Sequence, residues 1–138
     1  MTSLEAIGDL MNRIGFRRDS IDGATVWELP VAPHVVNISG GLQGGLTATL
    51  IDIAAGSAAI ESRPPGTGVV TSDLNIRYLR AITSGVARAQ ARIVHSGARS
   101  TVVEVEVRSE PDGVVAVIAT ANFAHVGFPG MGEPPTAD

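Results

Sequence analysis

The alternation of apolar and polar positions divides the chain into a helix, two strands, a second helix and four further strands. Leu4, Ile7, Leu10, Met11 and Ile14 recur at helical spacing, with Glu5 near the start and Arg13 near the end. Ser3 opens this segment and Gly15 closes it. Phe16-Arg17-Arg18 leads into a short strand, Ile21-Asp22-Gly23 reads as a hairpin turn, and Ala24–Pro30 alternates as the next strand. Pro30 and Pro33 mark its exit into a loop. After Gly40-Gly41 and Gly44-Gly45 the chain runs apolar on nearly every side of a helix as far as Glu61. A helix of that kind belongs inside a fold. Ser62-Arg63-Pro64-Pro65-Gly66 breaks it.

Four strands are predicted over 68–78, 85–94, 101–108 and 114–125. Val102-Val103-Glu104-Val105-Glu106-Val107 alternates with Glu104 and Glu106 on one face, so that strand is half exposed. Pro111-Asp112-Gly113 turns it into the last strand, and the spacing suits an antiparallel meander. The expectation is an α+β fold. An antiparallel six-stranded sheet wraps around a long central helix, and a short N-terminal helix precedes it. One domain covers 1–126. Residues 127–138, with three prolines, are expected as a flexible tail.

Composition narrows the function. A chain of 138 residues can bury a core of its own. Hydrophobic residues make up 44% and charged ones 17%, which leaves too little polar surface and implies a subunit interface. The net charge of −4 gives no basic footprint, so no nucleic-acid partner is expected. Lysine is absent, which excludes lysine Schiff-base and P-loop chemistry, while ten arginines suit phosphate contacts. The absence of cysteine excludes disulfides, thiolate nucleophiles and cysteine–zinc sites. His34, His95 and His125 lie far apart in the sequence, so no metal is expected. No signal peptide or 18-residue apolar span is evident, so a soluble cytoplasmic protein without a membrane partner is expected.

One residue does not fit its surroundings. Asp52 sits within the apolar helix, after Leu50 and Ile51 and before Ile53, Ala54 and Ala55. A carboxylate there must be hydrogen-bonded, paired or put to use.

The residues around it carry a resemblance. Asn37, then Gln43-Gly44-Gly45-Leu46-Thr47-Ala48-Thr49-Leu50-Ile51-Asp52, then Thr71-Ser72-Asp73-Leu74-Asn75-Ile76-Arg77-Tyr78-Leu79-Arg80 resemble the hotdog-fold acyl-CoA thioesterases of the phenylacetate-degradation (PaaI-like) group, within the 4-hydroxybenzoyl-CoA thioesterase superfamily. The resemblance spans about residues 30–126 and implies the same fold as the alternation does. It also implies an acyl-CoA substrate, whose coenzyme A is no separate cofactor, and self-association as a homodimer and homotetramer with active sites at the dimer interface. By resemblance, Asp52 is the catalytic carboxylate, and Asn37 places the substrate or the attacking water. The Gly44 N–H meets the thioester carbonyl, and Thr71 supplies a hydroxyl across the interface. Arg80 and the turn Gly97-Ala98-Arg99-Ser100 correspond to positions that hold the nucleotide end of coenzyme A. The family usually carries His-Gly-Gly where this chain has Gln43-Gly44-Gly45. Glutamine donates a hydrogen bond but shuttles no proton at neutral pH.

The implied chemistry is self-consistent. Asp52 acts as general base on water or attacks the carbonyl directly. The oxyanion rests on the Gly44 N–H at the positive end of the helix, where a side chain would block the approach. Gln43 either donates to the same carbonyl or holds the loop. Two alternatives stay open from sequence. One is a domain that binds acyl-CoA without turning it over. The other is a hydratase, although the enoyl-CoA hydratases of this fold place a histidine five residues after the helix aspartate, where this chain has Ser57.

Overall fold

The computed structural model of the chain describes residues 1–128. Helix α1 (Ser3–Ile14) is capped by Thr2, whose hydroxyl accepts from the Glu5 N–H while the Glu5 carboxylate accepts from the Thr2 N–H. That bond to the Thr2 backbone holds the Glu5 carboxyl below its ordinary value. Gly15, at φ 116°, ends the helix in the left-handed region. The apolar stripe of α1 is only half used. Met11 and Ile14 pack on the core, whereas Leu4, Ile7 and Leu10 stay exposed.

Strands β1 (Arg17–Ile21) and β2 (Ala24–Pro30) form the expected hairpin. Asp22 at φ 51° and Gly23 at φ 81° are both left-handed, as an Asp-Gly hairpin turn requires. Ile21 belongs to the strand rather than to the turn. Glu28 of β2 is 1% exposed and accepts from the Nε of Arg17 at 3.1 Å and from the Nε of Arg88 at 2.8 Å. The bond that Arg88 donates to Glu28 raises the Arg88 pKa. This buried carboxylate ties the hairpin to the rest of the sheet. A short 3₁₀ turn at Pro33–Val35, unforeseen from sequence, then leads the chain under the sheet.

Helix α2 (Gly44–Ser62) is the centre of the fold. Leu50, Ile51, Ala54, Ala55 and Ala59 are buried within it, and sheet strands pack along its length. Arg63 closes its C-terminus. Its guanidinium donates to the Ile60 and Thr67 carbonyls at 2.8 Å each, a favourable place for a cation. Among the described residues no helix is long and apolar enough to cross a membrane.

The remaining strands are β3 (Thr67–Tyr78), β4 (Val86–Ser96), β5 (Ser100–Glu110) and β6 (Val114–Gly127). With the hairpin they form one antiparallel sheet in the order β1-β2-β4-β5-β6-β3. On β5, Val103, Val105 and Val107 face the core while Glu104 and Glu106 face outward, as the alternation predicts. The last three strands end beyond their predicted bounds because ladder pairing continues past the apolar positions. Gly127 still pairs with Thr67, so the tail expected from 127 does not begin there. The rest of that expectation, 129–138, lies outside the described residues. Among the described residues, β3 is an edge strand with no neighbour on its outer side.

Candidate active site

The start of α2 is fixed by its flanking loop. The Leu42 N–H donates to the Ile82 carbonyl at 2.8 Å, and the Gln43 N–H to the Val35 carbonyl at 2.9 Å. Asn37 folds the glycine turn, since its Oδ1 accepts from the Ser39 and Gly41 N–H groups at 2.9 and 3.2 Å. Gln43 is the N-cap of α2, and its Oε1 accepts from the Leu46 N–H at 2.7 Å. Both amide oxygens are therefore engaged by backbone, which leaves the two NH₂ groups as donors for a ligand. Leu46 and Thr47 donate to Gln43, while the N–H groups of Gly44 and Gly45 have no partner among the described residues. Gly44 borders a cleft of about 310 Å³ that Asn37, Tyr78 and Arg80 also line.

Tyr78, whose place here no local pattern announces, closes on the start of α2. Its hydroxyl donates to the Gly44 carbonyl at 2.6 Å. Burial raises its pKa, which keeps the phenol protonated as a donor. Its ring lies beside Gly44, where an added Cβ would meet it at 3.7 Å, an ordinary contact. Glycine at 44 is thus not demanded by packing within the chain. At Gly45 a Cβ would sit 3.1 Å from the Gln43 Oε1 and press on the cap.

Asp52 lies further along α2 and is half-buried. The Thr71 hydroxyl donates to its Oδ1 at 2.8 Å. The pairing of β3 with β6 slips between Thr71 and Asp73, making Ser72 a bulge. Ser72 is held there by a 3.0 Å bond to the Asn122 carbonyl and a 2.7 Å bond from the Asn122 amide. The bulge lets Thr71 point toward α2 in company with Leu74, Ile76 and Tyr78. The resemblance sets Thr71 across an interface, but relative to Asp52 it acts within the same chain.

The two clusters are not one site in a single chain. Gly44 and Asp52 are eight residues apart on α2, which is about 12 Å along the axis. A reacting carbonyl must lie about 3 Å from both an oxyanion donor and the attacking group. The proposed coenzyme A contacts are split as well. Arg80 lies by the α2 start. The turn carrying Gly97, Arg99 and Ser100 lies by the α2 C-terminus, where the Ser96 hydroxyl reaches the Ser62 carbonyl at 3.4 Å and the His125 N–H donates to the Arg99 carbonyl. His125 pairs with Val69, so the length of β3, about 30 Å, separates the turn from Arg80. Among the described residues no three histidine or acidic side chains gather as a metal site.

Comparison with known proteins places these features. Residues 40–116 match the model of the thioesterase superfamily. The 1,4-dihydroxy-2-naphthoyl-CoA hydrolase of Listeria monocytogenes is 28% identical over 109 residues, covering 78% of this chain and 89% of that protein. The BH2602 protein of Bacillus halodurans, crystallised with CoA, is 32% identical with a TM-score of 0.80, covering 89% of this chain and 85% of its own. The Escherichia coli PaaI protein of the phenylacetic acid degradation operon is 22% identical with a TM-score of 0.76, covering 90% and 91%.

Proposed function

The chain belongs to the thioesterase superfamily, and from that premise we propose that it hydrolyses an acyl- or aroyl-CoA thioester to the free acid and coenzyme A, at a site built from two copies. The match to the thioesterase superfamily and the likeness to a CoA hydrolase stand behind the reaction class. The observation that carries the composite site is the separation of the free Gly44 N–H from Asp52. Two copies related by a two-fold axis bring the α2 start of one to the Asp52 of the other.

In this reading the thioester carbonyl lies on the Gly44 N–H at the positive end of α2, with the NH₂ groups of Asn37 and Gln43 as additional donors. Thr71 engages Oδ1 of Asp52, which leaves Oδ2 to take a proton from water or to attack. Collapse of the tetrahedral intermediate expels a thiolate. With a thiol pKa of about 8.5, that leaving group needs no strong acid, so glutamine at 43 is compatible with turnover. Arg80 and the Gly97–Ser100 turn are the phosphate contacts, and the reaction calls for no cofactor of its own.

A panel of short, medium, long and aromatic acyl-CoAs, assayed for free thiol, tests the activity. Release of thiol from at least one class is expected; tight acyl-CoA binding without release would overturn the assignment. Tyr78→Phe keeps the ring against Gly44 and loses one hydrogen bond. It is expected to lower kcat about tenfold with KM little changed, the worth of one positioning bond. Loss in KM alone would contradict that role.

A further inference from the structure

We propose that the cleft between the β1–β2 hairpin and the C-terminal half of α2 is a second ligand site, one that takes a monocarboxylate with an apolar body. Its volume is about 730 Å³, more than twice that of the cleft at the α2 start, and lies in the usual range for small-molecule sites. It is apart from the carboxylate of the first site. Glu61, which lines it, follows Asp52 by nine residues on α2. That is about two and a half turns, so the two side chains leave opposite sides of the helix.

The cleft arises where the sheet stops pairing. β2 pairs with β4 from Pro30↔Val86 as far as Trp27↔Ala89. Yet β2 begins at Ala24 and β4 runs on to Ser96. Beyond the Trp27–Ala89 pair the hairpin and β4 part. The helix presents Ala54 and Ala58 to the gap, and β4 presents Ala89 and Ala91. Small side chains on both walls leave open a space that larger ones would fill.

The polar groups at the cleft select the ligand. Arg18 stands directly opposite Trp27 in the hairpin, so the two share a face of the sheet. The Arg18 Nη2 lies 3.5 Å from the Thr25 hydroxyl and 4.0 Å from the Glu61 Oε1. Both contacts are long for a guanidinium, which closes to about 2.7–2.9 Å on a well-placed carboxylate. A ligand carboxylate can form the bidentate pair that Glu61 does not. Its apolar body then lies along the alanines and the indole of Trp27. The Trp27 Nε1–H is buried without a partner among the described residues. Turning that ring therefore breaks no hydrogen bond, and a ligand oxygen held by Arg18 supplies an acceptor. Arg18 is the one cation among the lining residues and Glu61 the one anion. A single charge on the ligand suits that balance better than the multiple charges of a phosphate ester.

Trp27 is the single tryptophan of the chain, so its fluorescence reports on the cleft directly. The full chain is titrated with octanoate and, separately, with octanamide. Octanoate is expected to shift the Trp27 emission saturably and to bind about tenfold more tightly than the amide, the gain from a charge-assisted pair. Arg18→Gln lowers octanoate affinity to that of the amide. Glu61→Gln raises it several-fold, because the competing anion is gone. Ala58→Leu fills the gap and abolishes the response in a chain that still folds by circular dichroism. Asp52→Asn, on the other side of α2, leaves the response unchanged. The site is overturned by the absence of a saturable shift, by equal affinity for acid and amide, by wild-type binding in Arg18→Gln, or by no tightening in Glu61→Gln. A response lost in Asp52→Asn would assign the ligand to the first site and leave no second one. None of these measurements reads thiol release, so they stand apart from whether acyl-CoA is hydrolysed.

Discussion

Asp52→Asn is expected to lower kcat for acyl-CoA hydrolysis about 1,000-fold, within the range for loss of a general base. The substitution isolates the chemistry from the fold. The Thr71 hydroxyl donates to Oδ1 at 2.8 Å, and the oxygen of an asparagine at 52 can accept the same bond. The residue is half-buried on a helix whose neighbours Leu50, Ile51, Ala54 and Ala55 do the packing. What the amide cannot do is take a proton from water or attack the carbonyl as an anion. Thiol release should therefore fall while thermal melting and acyl-CoA affinity hold. Near-normal turnover would make Asp52 a structural carboxylate and send the search for the base elsewhere.

Gly44→Pro should lower kcat about 100–1,000-fold, the usual effect of deleting one oxyanion donor. Proline is well tolerated at the first position of a helix, where its missing N–H has no intrahelical partner in any case. Position 44 is that residue of α2. Proline also requires an extended residue before it, and Gln43 already sits at φ −63°, ψ 130°. Gly44→Ala is the control. It keeps the N–H, and its Cβ would meet Tyr78 at 3.7 Å, an ordinary contact. Alanine, which keeps the donor and adds only crowding, should lose less activity than proline, with both folded by circular dichroism. Equal loss in the two would point to crowding of the site rather than to a missing donor.

Much of the architecture was legible because it rests on local pattern. A helix apolar on every side has to be central, and α2 is. The Asp22-Gly23 turn follows from the left-handed backbone those residues tolerate. The valines of β5 alternate with glutamates because one face of the sheet is wet. Gln43 was legible as a residue that holds the loop, and it does so as the N-cap of α2.

What escaped was non-local. Tyr78 looks like packing until the fold brings it to Gly44, 34 residues earlier in the chain. The bulge at Ser72 depends on Asn122, 50 residues away, and no alternation in β3 announces it. The stripe of α1 predicts burial, yet Leu4, Ile7 and Leu10 are exposed, because spacing defines an apolar face without supplying anything to cover it. The placement of Arg80 and the Gly97–Ser100 turn at opposite ends of the sheet follows from strand order, which the sequence order of the strands does not state.

Mixing Asp52→Asn chains with Gly44→Pro chains tests the composite site most directly. Each variant alone has no intact site. In a mixed dimer, the Gly44 of the first and the Asp52 of the second combine into one complete site beside one that lacks both. Random assortment of equal amounts should recover about a quarter of wild-type turnover. If donor and carboxylate worked within a single chain, the mixture would show no more thiol release than either variant alone.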